Sequence, residues 1–379
     1  MGFNLYSCCW LLLLVACTSS SNMPKYVSVR EYFSGSERLE YHEITWAHAV
    51  NSHEALSQAI KNPNMMMLEA DIMLGKHKGA HSHQMTPIMA HPPDKESDLS
   101  FPEFLDAVIH ATQSKGYHKG IKLDFKDIEA VEPCLLLLKE KLGEENVIPF
   151  PVVINADILM GPVNSTKKPV DAERFITLAK TLSPYATMSL GWTTRFGHDD
   201  EKLGKGTGEI IHEGKYTISQ IKEMATTIRK YAGDPPIFKH ITFPVRAALA
   251  ANSVNEIENL QGKMRSEFSI TLWSAKDDQV DVSKVESMIN SLGARFAFID
   301  VPFRMEYNAK HFQNEESHIE PDDQPSLHAL EAIPARGHSE EETTSETDKG
   351  TPSATTRAVT FLPVITLGLL AAFIMYRRL

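Results

Sequence analysis

Two hydrophobic rhythms alternate along the chain. Short runs rich in Val, Ile, Leu, Phe and Met are separated by stretches in which apolar residues recur every three or four positions. The runs predict strands at 45–50, 65–74, 120–125, 151–158, 186–192, 240–245, 269–273 and 295–301. The intervening stretches predict helices at 52–61, 101–114, 127–142, 171–182, 219–231, 247–260 and 282–292. Strand and helix repeated in this way imply parallel pairing through right-handed crossovers, and the closed form of that pattern is a (β/α)8 TIM-type barrel. A doubly wound open sheet is the alternative. Eight strands of similar weight, with no Gly-rich phosphate loop after the first, favour closure.

In such a barrel the C-terminal ends of the strands converge on one mouth, so the residues closing each strand form one set. They are His48, then Glu69 and Asp71, then Lys122, Asp124 and Lys126, then Asn155 and Asp157, and after these Trp192, Arg246, Trp273 and Asp300. His91 joins them from a short apolar run in the long loop after the second strand. Glu69 and Asp71 are two apart on a strand and leave the same face. Three converging acids, Glu69, Asp71 and Asp124, repel unless a cation lies between them, and an all-oxygen set suits Mg²⁺ or Ca²⁺ better than Zn²⁺. Two histidines beside such an ion can act as general base and general acid in phosphoryl chemistry, with Lys126 placing positive charge on a phosphate oxygen.

Plainer readings stand beside these. Glu69 and Asp71 can be salt-bridged acids paired with Lys122 or Lys126. Trp192 and Trp273 either wall a substrate pocket or cap the core, and Arg246 either contacts an anion or forms a surface ion pair. His77, His81 and His83 compete with His91 for the mouth, and His81-Ser82-His83 offers transition-metal ligands. The Gly-rich stretch 197–208 is either a lid or a plain loop.

The 379 residues, 42% of them apolar, are ample for a large core, and the net charge of −11 is concentrated. Residues 313–350 carry eleven acids against Arg336 and Lys349, which leaves the remainder near neutral. No broad basic face is present, so nucleic-acid binding is set aside. The acidic, aromatic-poor stretch at 311–356 reads as a disordered stalk.

Residues 1–22 contain the run Trp10 to Ala16 and read as a signal peptide, with a bacterial lipobox at Cys17 as the alternative. Residues 357–379 hold an apolar segment closed by Arg377 and Arg378, long enough for a type I transmembrane helix with a short basic tail. A GPI signal is the competing reading. The resulting expectation is a cell-membrane protein with the barrel, 23–310, outside. Asn164 heads the sequon for N-glycosylation, and Cys134 alone among four cysteines falls outside the leader, so no internal disulfide framework is expected.

The motifs around His48, Glu69 to Asp71, Pro87 to Pro92, Leu123-Asp124-Phe125-Lys126, Ile154 to Asp157, Ser189 to Trp192 and Ile270 to Trp273 together resemble the menorin family over nearly the whole ectodomain. More distantly they resemble the barrel superfamily of glycerophosphodiester phosphodiesterases and sphingomyelinase D. The superfamily pattern implies His48 and His91 as acid/base residues, Glu69, Asp71 and Asp124 as ligands of a divalent cation, and Lys126 as a phosphate contact. Lys122, Asn155, Trp192, Trp273 and Arg246 complete the expected substrate-binding set. Ala49 stands where glycerophosphodiesterases carry an Arg, and the cysteine pair of spider sphingomyelinases D is absent. Menorins are associated with cell-surface roles in neuronal patterning. The expected partner is therefore a phosphodiester or lipid head group, or else a cell-surface protein.

Overall fold

Eight strands lie side by side in chain order, every neighbouring pair parallel. They are β1 (Trp46–Ala47), β2 (Met67–His77), β5 (Gly120–Phe125), β6 (Val152–Met160), β7 (Thr187–Thr193), β8 (His240–Arg246), β9 (Glu267–Trp273) and β10 (Ala297–Ile299). Two short strands sit off this path. β3 (Thr86–Met89) pairs antiparallel to the far half of β2, and β4 (Glu96–Ser97) pairs with its end. The computed structural model describes residues 26–300 apart from 35–38, 80–83, 144–149, 184, 199–209, 265–266, 276–277 and 294–295. The expected leader, stalk and C-terminal apolar segment, with His81, His83 and most of the Gly-rich stretch, lie outside the described residues. Among those residues no helix is long and apolar enough to cross a membrane.

Helices follow the strands where the periodicity places them, and side chains cap their ends. Ser52 accepts from the Ala55 amide at the start of helix His53–Lys61, and Ser100 with Glu103 closes a reciprocal capping box on helix Phe101–Lys115. That helix ends on Gly116 at φ 66°, the left-handed position that glycine takes without penalty. The single helix expected over 247–260 is divided into Ala247–Ala250 and Val254–Gln261. Ser253 causes the break, because its hydroxyl donates to the Leu249 carbonyl and accepts from the Tyr216 amide.

Strand pleating sorts the side chains into two layers. Leu68, Ala70 and Ile72 of β2 and Ile121, Leu123 and Phe125 of β5 face the helices and join the main core. The alternate positions face the other way, where Tyr41, Trp46, Met67, Val153 and Phe298 form a second, smaller apolar cluster. Trp46 of β1 and Phe298 of β10 meet edge to face with ring centroids 5.7 Å apart. Seven strand spacings separate β1 from β10 along the sheet, about 34 Å if it were flat. The sheet therefore curls until its two ends adjoin. Among the described residues no hydrogen-bonded ladder joins β10 to β1.

Candidate functional site

Above the small apolar cluster the concave face becomes polar. Parallel register places Glu69 beside Lys122, Asp71 beside Asp124 and Asp124 beside Asn155, so neighbouring strands present acids and a base in adjoining layers. Glu69, Asp71, Lys122 and Asn155 are all buried. Carboxylate oxygens of Glu69, Asp71 and Asp124 lie within 4.8 Å of one another. Lys126, just past the end of β5, sets its Nζ 3.1 Å from Asp71 Oδ1 and 2.6 Å from Asp124 Oδ2.

The edge formed by β1 orients this cluster. Asn51 donates from Nδ2 to Asp71 Oδ2 at 2.8 Å, and its Oδ1 accepts from the Asp71 amide at 2.9 Å. Ala49 adopts φ 54°, costly for a residue with a Cβ, and its amide donates to Glu69 Oε2 at 2.8 Å. The turn there ends β1 two residues in, three short of the expected strand.

His48 faces two acids. Its Nδ1 is 3.2 Å from Glu69 Oε2 and 3.4 Å from Asp300 Oδ2. Asp300 is fully buried, and Lys122 Nζ lies 4.0 Å from it and over the ring of Trp46. The charges are strongly interdependent. The Glu69 carboxylate drives the His48 imidazole well above the usual histidine range, against burial and with help from Asp300. Burial pushes Glu69 up to about 7 and does the same for Asp157, which also feels Asp124. Burial acts upward on Asp124 too, but the Lys126 and Lys122 ammoniums outweigh it and hold that carboxyl below its ordinary value.

The expected residues divide by placement. His48, Glu69, Asp71, Lys122, Asp124, Lys126 and Asn155 come together, and Asn155 Oδ1 accepts from Ser189 Oγ across β6 and β7. His91 is exposed at the rim, one residue past Ala90, whose amide donates to the Asp71 carbonyl, and its Nδ1 lies 2.6 Å from the Pro92 carbonyl. Trp192 is not presented to the site. It is buried among Tyr216 and Phe243, which favours the core-capping reading. Arg246 is no surface ion pair, since it is 2% exposed. It donates through Nε and Nη2 to Asp278, and its guanidinium carbon lies 5.4 Å from the Phe196 ring centroid and 5.3 Å from that of Trp273. Asn164 is exposed at φ 49° on the turn after β6.

Nothing in the local sequence marks Asn51 or Asp278 as part of a site. Asn51 sits two residues before the helix that follows β1, where an Asn reads as a helix-start residue, and Asp278 lies in a loop with no periodicity. Asp157 and Asp300 are legible as strand ends but, beyond their two-residue offsets from Asn155 and Phe298, carry no further signal of a role.

The donor set fits a hard divalent cation. Five carboxylates, Glu69, Asp71, Asp124, Asp157 and Asp300, meet the ammoniums of Lys122, Lys126 and Lys167 and the His48 imidazole, which leaves one negative charge uncompensated when all are ionised. The Asp124 carboxylate itself is held by Lys126 and Asn155. Beside Lys126 opens a cleft of about 590 Å³, with Ile158, Lys168 and Arg174 on its walls.

Comparison with known proteins adds the lineage. The profile of the menorin N-terminal domain matches residues 40–306. Human Protein FAM151B is 35% identical over 280 residues, which cover 72% of this chain and 89% of that protein. Among solved structures, a 2,3-dimethylmalate lyase of the PEP mutase/isocitrate lyase superfamily aligns with a TM-score of 0.34 at 10% identity, over 80% of this chain and 92% of its own. A family 18 chitinase from Crocus vernus aligns with a TM-score of 0.29 at 11% identity, over 68% and 90%. Neither structural likeness is close enough to carry an argument. The length of the profile match and the identity to the human protein carry one, and by both the chain belongs to the menorin family.

Proposed function

We propose that this menorin-family chain is a metal-dependent phosphodiesterase of the cell surface, acting on a lipid-related phosphodiester at the concave face of a (β/α)8 barrel. The observation that carries the reading is the convergence of Glu69, Asp71 and Asp124 to within 4.8 Å, with His48 against Glu69 and Lys126 against Asp71 and Asp124. Glu69, Asp71 and Asp124 would hold Mg²⁺ or Ca²⁺, which supplies charge neutralisation at a phosphoryl oxygen. His48, with Nδ1 held by Glu69 and Asp300, keeps Nε2 for proton transfer to or from a substrate oxygen. His91 at the rim is the second acid/base candidate. Lys126 offers its ammonium to a phosphate oxygen. A leader at 1–22, a stalk at 311–356 and a membrane anchor at 357–379, either a type I span or a GPI signal, would place the barrel outside the cell with Asn164 glycosylated.

One observation favours a second reading, a non-catalytic module that binds cell-surface proteins. Lys126 bridges Asp71 and Asp124, so one of their two negative charges is already neutralised without an ion. Turnover of lysophospholipids and glycerophosphodiesters by the full chain with Mg²⁺ or Ca²⁺, compared with E69A/D71A, separates the two. Turnover abolished by the double substitution supports the enzyme. Absence of turnover in the unaltered protein, with partner binding that survives the substitution, supports the module.

A further inference from the structure

A second group of ligating side chains lies outside the acidic centre. His53 opens the helix after β1, His77 ends β2, and Glu103 lies in the first turn of helix Phe101–Lys115. His77 Nε2 is 3.0 Å from Glu103 Oε2, and His53 Nε2 is 3.9 Å from the same oxygen. The donor atoms of all three lie within 4.8 Å of one another. We propose that His53, His77 and Glu103 form a binding site for a borderline transition-metal ion, typified by Zn²⁺, with one coordination position left to water or an anion.

The chemistry separates this site from the acidic one. Two imidazoles and one carboxylate select Zn²⁺ and its neighbours rather than Mg²⁺ or Ca²⁺. Around a tetrahedral ion with bonds of about 2.0–2.1 Å, donor atoms sit roughly 3.4 Å apart, and the two measured separations bracket that spacing. The backbone positions are fixed in advance. Ser52 caps the His53 helix, the Ser100–Glu103 capping box holds the Glu103 turn, and pairing of His77 with Ser97 of β4 anchors the end of β2. Such prior fixing lowers the cost of bringing ligands together. His77 Nε2 is also 2.9 Å from the Asp98 carbonyl, so in the metal-free protein one proton serves both that oxygen and Glu103. A cation takes the place of that proton, as ligation of an imidazole requires.

Co²⁺ titration of the full chain tests this, with the visible absorption of tetrahedral cobalt as the signal. The expected result is a saturable band in the unaltered protein and in D71N, and at least a tenfold loss of Co²⁺ affinity in H53Q and in H77Q. His53 is more than half exposed, so H53Q leaves the fold intact, which an unchanged melting temperature in metal-free buffer verifies. Competition by Zn²⁺ should remove the band, whereas Mg²⁺ should not. Absence of the band, its survival in the H53Q/H77Q double variant, or its loss in D71N overturns the proposal.

Discussion

Asp71 and Asp124 are register partners on adjacent parallel strands, and the ammonium of Lys126 rests between their carboxylates at 3.1 and 2.6 Å. Two buried acids so placed repel strongly, and the lysine turns that repulsion into a stable arrangement. K126M should therefore cost on the order of 3 kcal/mol of stability in metal-free buffer. Mg²⁺ or Ca²⁺ should restore much of the loss, since a cation can take up the vacated position. Melting curves with and without chelator check both statements, and a K126M protein as stable as the parent without metal would contradict the first.

Asn51 holds Asp71 by two hydrogen bonds, one to a charged carboxylate. N51A should cost about 2 kcal/mol and weaken divalent-cation binding several-fold by freeing the Asp71 rotamer. Chemical denaturation gives the first quantity and metal titration the second. Unchanged cation affinity would remove Asn51 from the site's support.

Much of this arrangement can be read from the sequence, and the failures have physical causes. Strand β5 runs over the predicted 120–125, because its alternation puts Ile121, Leu123 and Phe125 on the core face and Lys122 and Asp124 on the other. The acids of β2 and β5 were found for the same reason, since period two fixes their face before any pairing is known. β3 is legible only as a short apolar run in a loop, because Pro87-Ile88-Met89 becomes a strand by pairing to the far half of β2. The burial of Arg246 is not legible, because local sequence does not reveal that Asp278, thirty-two residues on, pairs with it.

That pair supplies a stability prediction remote from the acidic centre. R246M leaves Asp278 without its partner at a site where both side chains are 2% exposed, and should cost about 3–5 kcal/mol. R246K should recover little, because a point charge cannot reproduce the two-pronged contact or the planar group's contacts with the Phe196 and Trp273 rings. Equilibrium unfolding of the two variants decides. Near-parental stability for R246K would show that charge alone suffices.

His240, at the opposite end of the curled sheet, bears on acid stability. Burial lowers its pKa to about 4, and its ring nitrogens meet Ser269 and Tyr26. The unfolded chain protonates near 6.5, so between pH 6.5 and 4 the unfolded state binds the extra proton. Stability from this residue is complete above 6.5 and is lost as the pH falls toward 4, by on the order of 3 kcal/mol in all. H240Q should be less stable at neutral pH and show a flatter decline over that window. A slope equal to the parent's would assign the acid limb to other groups.

Calorimetric titration of Mg²⁺ and Ca²⁺ into the full chain, beside D124N, addresses the acidic centre most directly. Saturable binding of one ion by the parent, with affinity at least tenfold weaker in D124N, is the expected result. No binding by the parent, or equal binding by D124N, would mean that Glu69, Asp71 and Asp124 meet for structural reasons alone.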